Sequence, residues 1–238
     1  ISYSGNFKEK NQHTKMSGLQ NSTMDNHIKD ILHNAHLDYT LPIGLNLGAD
    51  FTYYKDNIEQ DLTSELLGNK LDFITTSGQR INRSKFFARE EHKLGKKAMV
   101  NYGMVYTHII DHSHQEYVPT GNTSAEQLRT ENILNIYGGG SVNLSDKLSA
   151  ELSLAAEHSK TALWNEWDFY PTLSATYMPQ SGRMWQLSFT TDKKYPDFWA
   201  MQNVTSYYGG NYEQIVGNPA LKPSKEYNLS LVHVLQNK

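Results

Sequence analysis

The stretch NILNIYGGGSVNLSDKLSAELSLAAEH, Asn132 to His158, decides the fold. Leu134, Ile136, Gly138, Gly140, Val142 and Leu144 fall on every second position. After the short turn Ser145–Lys147, Ala150, Leu152, Leu154 and Ala156 do the same, with Glu151, Ser153 and Glu157 between them. A period of two is the signature of a strand with one apolar and one polar face. Two such runs joined by three turn residues make an antiparallel hairpin.

The pattern recurs along the chain. Leu45, Leu47, Ala49, Phe51 and Tyr53 alternate with Asn46, Gly48, Asp50 and Thr52. Val100, Tyr102, Met104, Tyr106 and Ile110 share a face, as do Phe169, Leu173, Ala175 and Tyr177, then Trp185, Leu187 and Phe189. Helical spacing is confined to Asn26–Leu37, where Ile28, Ile31, Leu32 and Ala35 fit it. Period two takes over from about His36. The alternation predicts strands near 1–8, 27–41, 45–56, 81–93, 99–112, 131–144, 148–158, 167–178, 183–193 and 225–236. The run at 81–93 is crowded with Arg83, Lys85, Arg89, Glu90, Glu91 and Lys93, and only Phe86 and Ala88 suit an apolar face.

The connections then alternate in length. Short turns fall at 42–44, 94–98, 145–147 and 179–182. Longer loops fall at 9–26, 57–80, 113–130, 159–166 and 194–224. In an antiparallel meander, alternate connections lie on one edge of the sheet. The expected architecture is therefore all-β: about ten long strands forming part of an outer-membrane β-barrel, or a small closed version of one. Asp50, Glu151 and Glu157 fall on the polar, lumen face. Tyr53, Tyr54, Trp164, Trp167, Tyr170 and Tyr177 are expected in aromatic girdles at the interfaces. The competing reading is a soluble extracellular β-rich module that binds carbohydrate or protein.

Composition excludes several functions. A net charge of −3 with scattered Lys and Arg makes no case for nucleic acid. Without cysteine there is no disulfide framework and no thiolate metal site. His33 with His36, and His112 with His114, have ligand-like spacing but no evident third ligand, so no metal site is assigned. Gly138–Gly140 lies within a strand pattern and is no phosphate loop, so no cofactor is expected. No nucleophile elbow or carboxylate pair marks a catalytic residue, and the chain is not expected to be an enzyme. The amino terminus, ISYSGNFKEK, reads as mid-chain sequence.

Near the carboxyl end stand Tyr195-Pro196-Asp197-Phe198-Trp199, the stretch GNPALKP at Gly217–Pro223 and the alternating run Tyr227, Leu229, Leu231. Over about 165–238 this order resembles the barrel of TonB-dependent outer-membrane receptors of the Bacteroidetes type. Gly217, Asn218, Pro219, Leu221, Lys222 and Pro223 carry the resemblance most specifically. The resemblance implies a location in the Gram-negative outer membrane, contact with its lipid, and an extracellular nutrient ligand. It further implies coupling to the TonB system through parts of the parent outside this sequence. It implies a plug and a barrel of about 22 strands, neither complete here. Residues 1–238 are then one partial barrel domain, which either closes into a smaller barrel or pairs its edges with another copy. Loops 57–80, 113–130 and 194–224 are the expected ligand side. Trp199, Tyr207, Tyr208 and Tyr212 are the ligand-contact candidates, because aromatics among polar neighbours suit binding.

Overall fold

The computed structural model describes residues 1–118, 124–202, 205–208 and 213–236; the side chains of residues 71, 199, 206–208, 213 and 214 lie outside the description. Among the described residues twelve strands are formed: β1 (Ser2–Met16), β2 (Gln20–Thr40), β3 (Asn46–Leu66), β4 (Asn69–Leu94), β5 (Ala98–Val118), β6 (Ala125–Ser145), β7 (Leu148–Lys160), β8 (Asn165–Gln180), β9 (Arg183–Lys194), β10 (Thr205–Tyr208), β11 (Glu213–Val216) and β12 (Ser224–Leu235). Ten of them make one antiparallel sheet in the order β1 to β9, then β12, while β10 and β11 pair as a separate hairpin. The sheet is open, with β1 and β12 at its edges. No described helix is long and apolar enough to cross a membrane, which bears only on helices.

One rim matches the expectation. Thr40 leads to Asn46, Leu94 to Ala98, Ser145 to Leu148 and Gln180 to Arg183 through short turns. The first is closed by Gly44 N–H donating to the Leu41 carbonyl at 2.9 Å.

The other rim corrects it. Most of residues 9–26, 57–80 and 113–130 is strand, not loop. The strands β2 to β6 run 21 to 26 residues. At roughly 3.3 Å per residue that is more than twice the roughly 30 Å of hydrocarbon. At the far end of β3 and β4 the chain turns on Leu67 and Gly68 alone, with φ of 49° and 82°. Two successive positive φ values define the tight turn that best matches the twist of a hairpin, and glycine takes its second place without strain.

The strands are continuous, but the polarity of their faces inverts along them. We call inner the face that Tyr195, Phe198, Met201 and Thr205 contact. In β3 the outer positions begin as Leu47, Ala49, Phe51 and Tyr53 and continue as Lys55, Asn57, Glu59 and Asp61. The inner positions begin as Asp50 and Thr52 and end as Ile58, Leu62 and Ser64. Leu62 is 0% exposed and packs with Met24, Phe73 and Tyr117. So the lower stretch has apolar residues outside and polar ones inside, as lipid and a wet lumen require. The upper stretch has a small apolar core inside and charges outside, as water requires. This inversion is why alternation of the lipid-facing kind fades near residue 56 while the strand goes on.

The outer apolar belt crosses the sheet from Leu37 and Phe51 through Phe86, Tyr106, Leu134, Leu152, Leu173 and Leu187 to Leu231, all exposed but Leu134. Such a contiguous exposed surface does not suit the soluble module. Phe51 and Phe86 meet edge to face at 5.6 Å between centroids. Phe86 and Ala88 lie on the outer face of β4, and Arg83, Lys85 and Arg89 on its inner face, so the charge-crowded run obeys the same rule. Lys85 and Asp50 pair across β3 and β4 at 3.2 Å. Tyr53, Trp167 and Tyr177 face outward at the belt's margins. Tyr54 and Tyr170 do not: Tyr54 donates to Asp56 at 3.0 Å, and Tyr170 is buried under Lys225. Both sit one residue out of register with the outer face.

In outer membranes, and with any native cysteines of the parent removed, a thiol in place of Leu187 is expected to react with a lipid-soluble maleimide only. One in place of Ser188 is expected to react with a water-soluble reagent only. Reaction of both with the water-soluble reagent would contradict the assigned faces.

Candidate functional site

Residues 195–223 form the one long connection at the upper rim among the described residues, and its described residues Tyr195, Phe198, Met201 and Thr205 contact the inner face of the wall. The chain leaves β9 at Lys194, makes a short 3-10 turn at Trp199–Met201 and re-enters the wall at Ser224. Side chains from the inner faces of β5, β6 and β7 hold it there.

Gln115 makes the most specific of these contacts. Its Nε2 donates to the Thr205 carbonyl at 2.7 Å, and its Oε1 accepts from the Thr205 N–H at 2.8 Å. Both backbone groups of one residue are thus satisfied by one buried amide, as a neighbouring strand would satisfy them. Arg129 holds the next point. Its side chain is 8% exposed, and its guanidinium lies 5.1 Å from the centre of the Phe198 ring and reaches Met201 Sδ. Asp111 and Glu131 flank that guanidinium at 3.5 and 3.4 Å. Glu157 holds the third point: it accepts from the Tyr195 hydroxyl at 2.5 Å and from Lys193 Nζ at 2.8 Å.

Lys193 has a second task. The ladder between β8 and β9 stops above the pair Leu173↔Phe189, although β9 stays paired with β12 up to Lys194. Lys193 and Lys225 span the gap by reaching Asp168 at 3.1 and 2.5 Å. An ion pair with low exposure on both sides is costly to break, because one partner is then left buried and uncompensated.

The motif Gly217–Pro223 closes the connection. Asn218 N–H donates to the Ala200 carbonyl at 2.7 Å, so exit and entry are tied together. Asn218 Oδ1 accepts from the Ala220 N–H at 3.0 Å, an Asx turn. A Cβ on Gly217 would stand 1.9 Å from the Gln202 carbonyl oxygen, so no larger residue fits there. Lys222 reaches Glu166 at the top of β8 at 2.9 Å. Among the ligand candidates, Trp199 lies in the short helical turn and Tyr207 and Tyr208 in β10, while Tyr212 lies outside the described residues. Gln115, Arg129, Asp111 and Glu131 were not anticipated. The polar alternation Asp111, Ser113, Gln115 signals them, but it lies beyond the apolar alternation that marks the spanning part of β5.

The histidine pairs do not converge on a metal site. His36 accepts or donates at 2.5 Å with Asp50, His33 stacks on Tyr3 and Tyr53, and His112 bonds Glu126 at 2.8 Å. Among the described residues no three such donors come together.

The family described as "TonB dependent receptor-like, beta-barrel" matches residues 2–238. The chain belongs to this family. Among solved structures it is similar to the siderophore receptor PirA from Pseudomonas aeruginosa, with a TM-score of 0.53 and 9% identity over 95% of this chain and 48% of that one. It is also similar to the RagAB peptide importer, with a TM-score of 0.50 and 12% identity over 90% of this chain and 28% of that one. At those identities the likeness concerns the fold. This chain therefore spans about half of the first structure and under a third of the second. No curated protein matches. As a TonB-dependent receptor barrel, the chain is a segment of transmembrane wall in the Gram-negative outer membrane, and its family is one of receptors and transporters.

Two outcomes follow from the geometry. Gln115→Ala removes both ties to Thr205, a loss of about 1–3 kcal/mol. Amide exchange at residues 205–208 should accelerate by about tenfold or more, with the spanning part of β5 unchanged. The second concerns Asp56, on the inner face above the belt. Burial pushes its carboxyl above the usual carboxylate range, and the charges of Asp30 and Asp111 push the same way. The Gln79 N–H, at 2.7 Å, and the Tyr54 hydroxyl oppose them. The folded state thus holds this proton more tightly than the unfolded state. The resulting stability is complete below the unfolded value and is lost as pH rises through the folded one. Asp56→Asn should therefore slow exchange in the upper halves of β3 and β4 at neutral pH, with the gain vanishing as pH falls through the carboxylate range.

Proposed function

We propose that the parent of this chain imports a scarce nutrient across the outer membrane, energised by the TonB system. In this reading residues 1–238 are one partial barrel domain, and the plug and TonB-contacting segment belong to other parts of the parent. The observation that carries the reading is the inward fold of the described part of the connection 195–223. A connection tied to the lumen face by Gln115, Arg129 and Glu157 stands where cargo entering from outside must pass. Trp199, Tyr207, Tyr208 and Tyr212 are the proposed cargo contacts on that connection, since aromatic side chains bind apolar and polar groups alike. The Gly217–Pro223 motif supports a receptor of the Bacteroidetes type.

PirA is named as a siderophore receptor and RagAB as a peptide importer, so the fold alone accommodates unlike cargoes. The test is accumulation of labelled ferric siderophores, peptides and oligosaccharides by cells that carry the parent, lack it, or lack TonB. Deletion of the parent and deletion of TonB should abolish uptake of the same cargo. Equal accumulation of every cargo in all three strains would overturn the proposal.

A further inference from the structure

Between the wall and the inward-folded segment lies a cavity of about 420 Å³. Its size falls in the usual range for small-molecule sites. Two features set it apart from an ordinary stretch of lumen.

The first is its apolar lining. Val105, Ile109 and Ile133 face inward at the level of the lipid belt, where the lumen side of a barrel strand is normally polar. Pro196, Phe198 and Met201 face them from the segment above. Ile109 and Met201 are buried, but Val105, Ile133, Pro196 and Phe198 are only half-buried, and the space between them is open.

The second is its charge. Four charged side chains line it. Lys85 is matched by Asp50 at 3.2 Å, Glu131 by Arg129 at 3.4 Å, and Glu157 by Lys193 at 2.8 Å. Arg83 is left, with no ion pair or hydrogen bond among the described residues. An arginine at the edge of an apolar space presents a planar fork of donors that suits a carboxylate better than a point charge does.

We propose that this cavity is a binding subsite for an apolar monoanion, an aromatic carboxylate in its simplest form, with the carboxylate on Arg83 and the apolar body between Ile133 and Phe198. The proposal rests on the import reading above and deepens it by naming the chemical class of the cargo, or of the part of the cargo, that this subsite holds.

The probe is 2-naphthoate, with neutral 2-naphthylmethanol as its control. Binding is measured by equilibrium dialysis against the full-length receptor in lipid nanodiscs, and empty nanodiscs of the same lipids subtract partition into the bilayer. Naphthoate should bind saturably and the alcohol should not. Arg83→Gln should weaken naphthoate binding by about tenfold or more, the usual worth of a hydrogen bond to a charged group. Arg83→Lys should restore part of it. Ile133→Trp, which fills the cavity, should abolish it. Arg83 is exposed, so its substitutions leave folding intact and keep the test valid where Ile133→Trp does not fold. Equal binding of the two probes, absence of saturable binding, or unchanged affinity in Arg83→Gln would overturn the subsite. Such a result alongside intact TonB-dependent uptake removes the subsite alone, whereas loss of the TonB dependence removes the import reading itself.

Discussion

Every strand residue in this sheet is committed to one face, because successive side chains of a strand point to opposite sides. The medium on the outer side is not constant: it is hydrocarbon along one stretch and water along the next. The chain therefore meets two opposite demands with a single geometry. Outer positions 47, 49, 51 and 53 answer to lipid, and outer positions 55, 57, 59 and 61 answer to water. Inner positions switch the other way, and the switch creates the small core of Leu62, Met24, Phe73 and Tyr117 above the membrane. A slip of one residue would bring Asp50 out into lipid and expose Leu62 to water, so register is strongly specified along the whole of β3.

This constraint explains what could be read in the sequence and what could not. The spanning stretches were legible, since there apolar outer residues alternate with polar inner ones and each short turn interrupts them sharply. Even the crowded run at 81–93 resolves, because its cations at 83, 85 and 89 share one parity and Phe86 and Ala88 the other. The extensions were hidden because their apolar positions are sparse and inward. Ile58 and Leu62 stand among Glu59, Gln60, Asp61 and Ser64, which read as loop when apolar alternation is the criterion. The turn at Leu67–Gly68 was hidden for a different reason: leucine is an unusual choice at positive φ.

The site was legible only at its ends. Tyr195–Trp199 and Gly217–Pro223 stand out as motifs, and the structure gives the second a physical reason. Gly217 lets the Gln202 backbone pass, and Asn218 ties the exit of the connection to its entry. The residues that receive the connection are different in kind. Gln115, Arg129 and Glu157 come from three strands and are brought together only by the register of β5, β6 and β7. No spacing in one strand announces such a set. It depends on pairings that no single stretch contains.

The same register places the wall–loop cavity. The inner apolar trio of Val105, Ile109 and Ile133 sits just below the level where the outer face changes from lipid to water. Below it, polar inner residues fit a wet lumen; above it, apolar inner residues are covered by other parts of the chain. At the boundary Ile109 is buried but Val105 and Ile133 are only half-covered, because the connection is held by polar ties at Gln115, Arg129 and Glu157 and does not press fully onto the wall. A space that is apolar, partly roofed and edged by one unmatched arginine is thus a consequence of the polarity inversion itself. Ile109 and Ile133, on neighbouring strands, lie at that boundary.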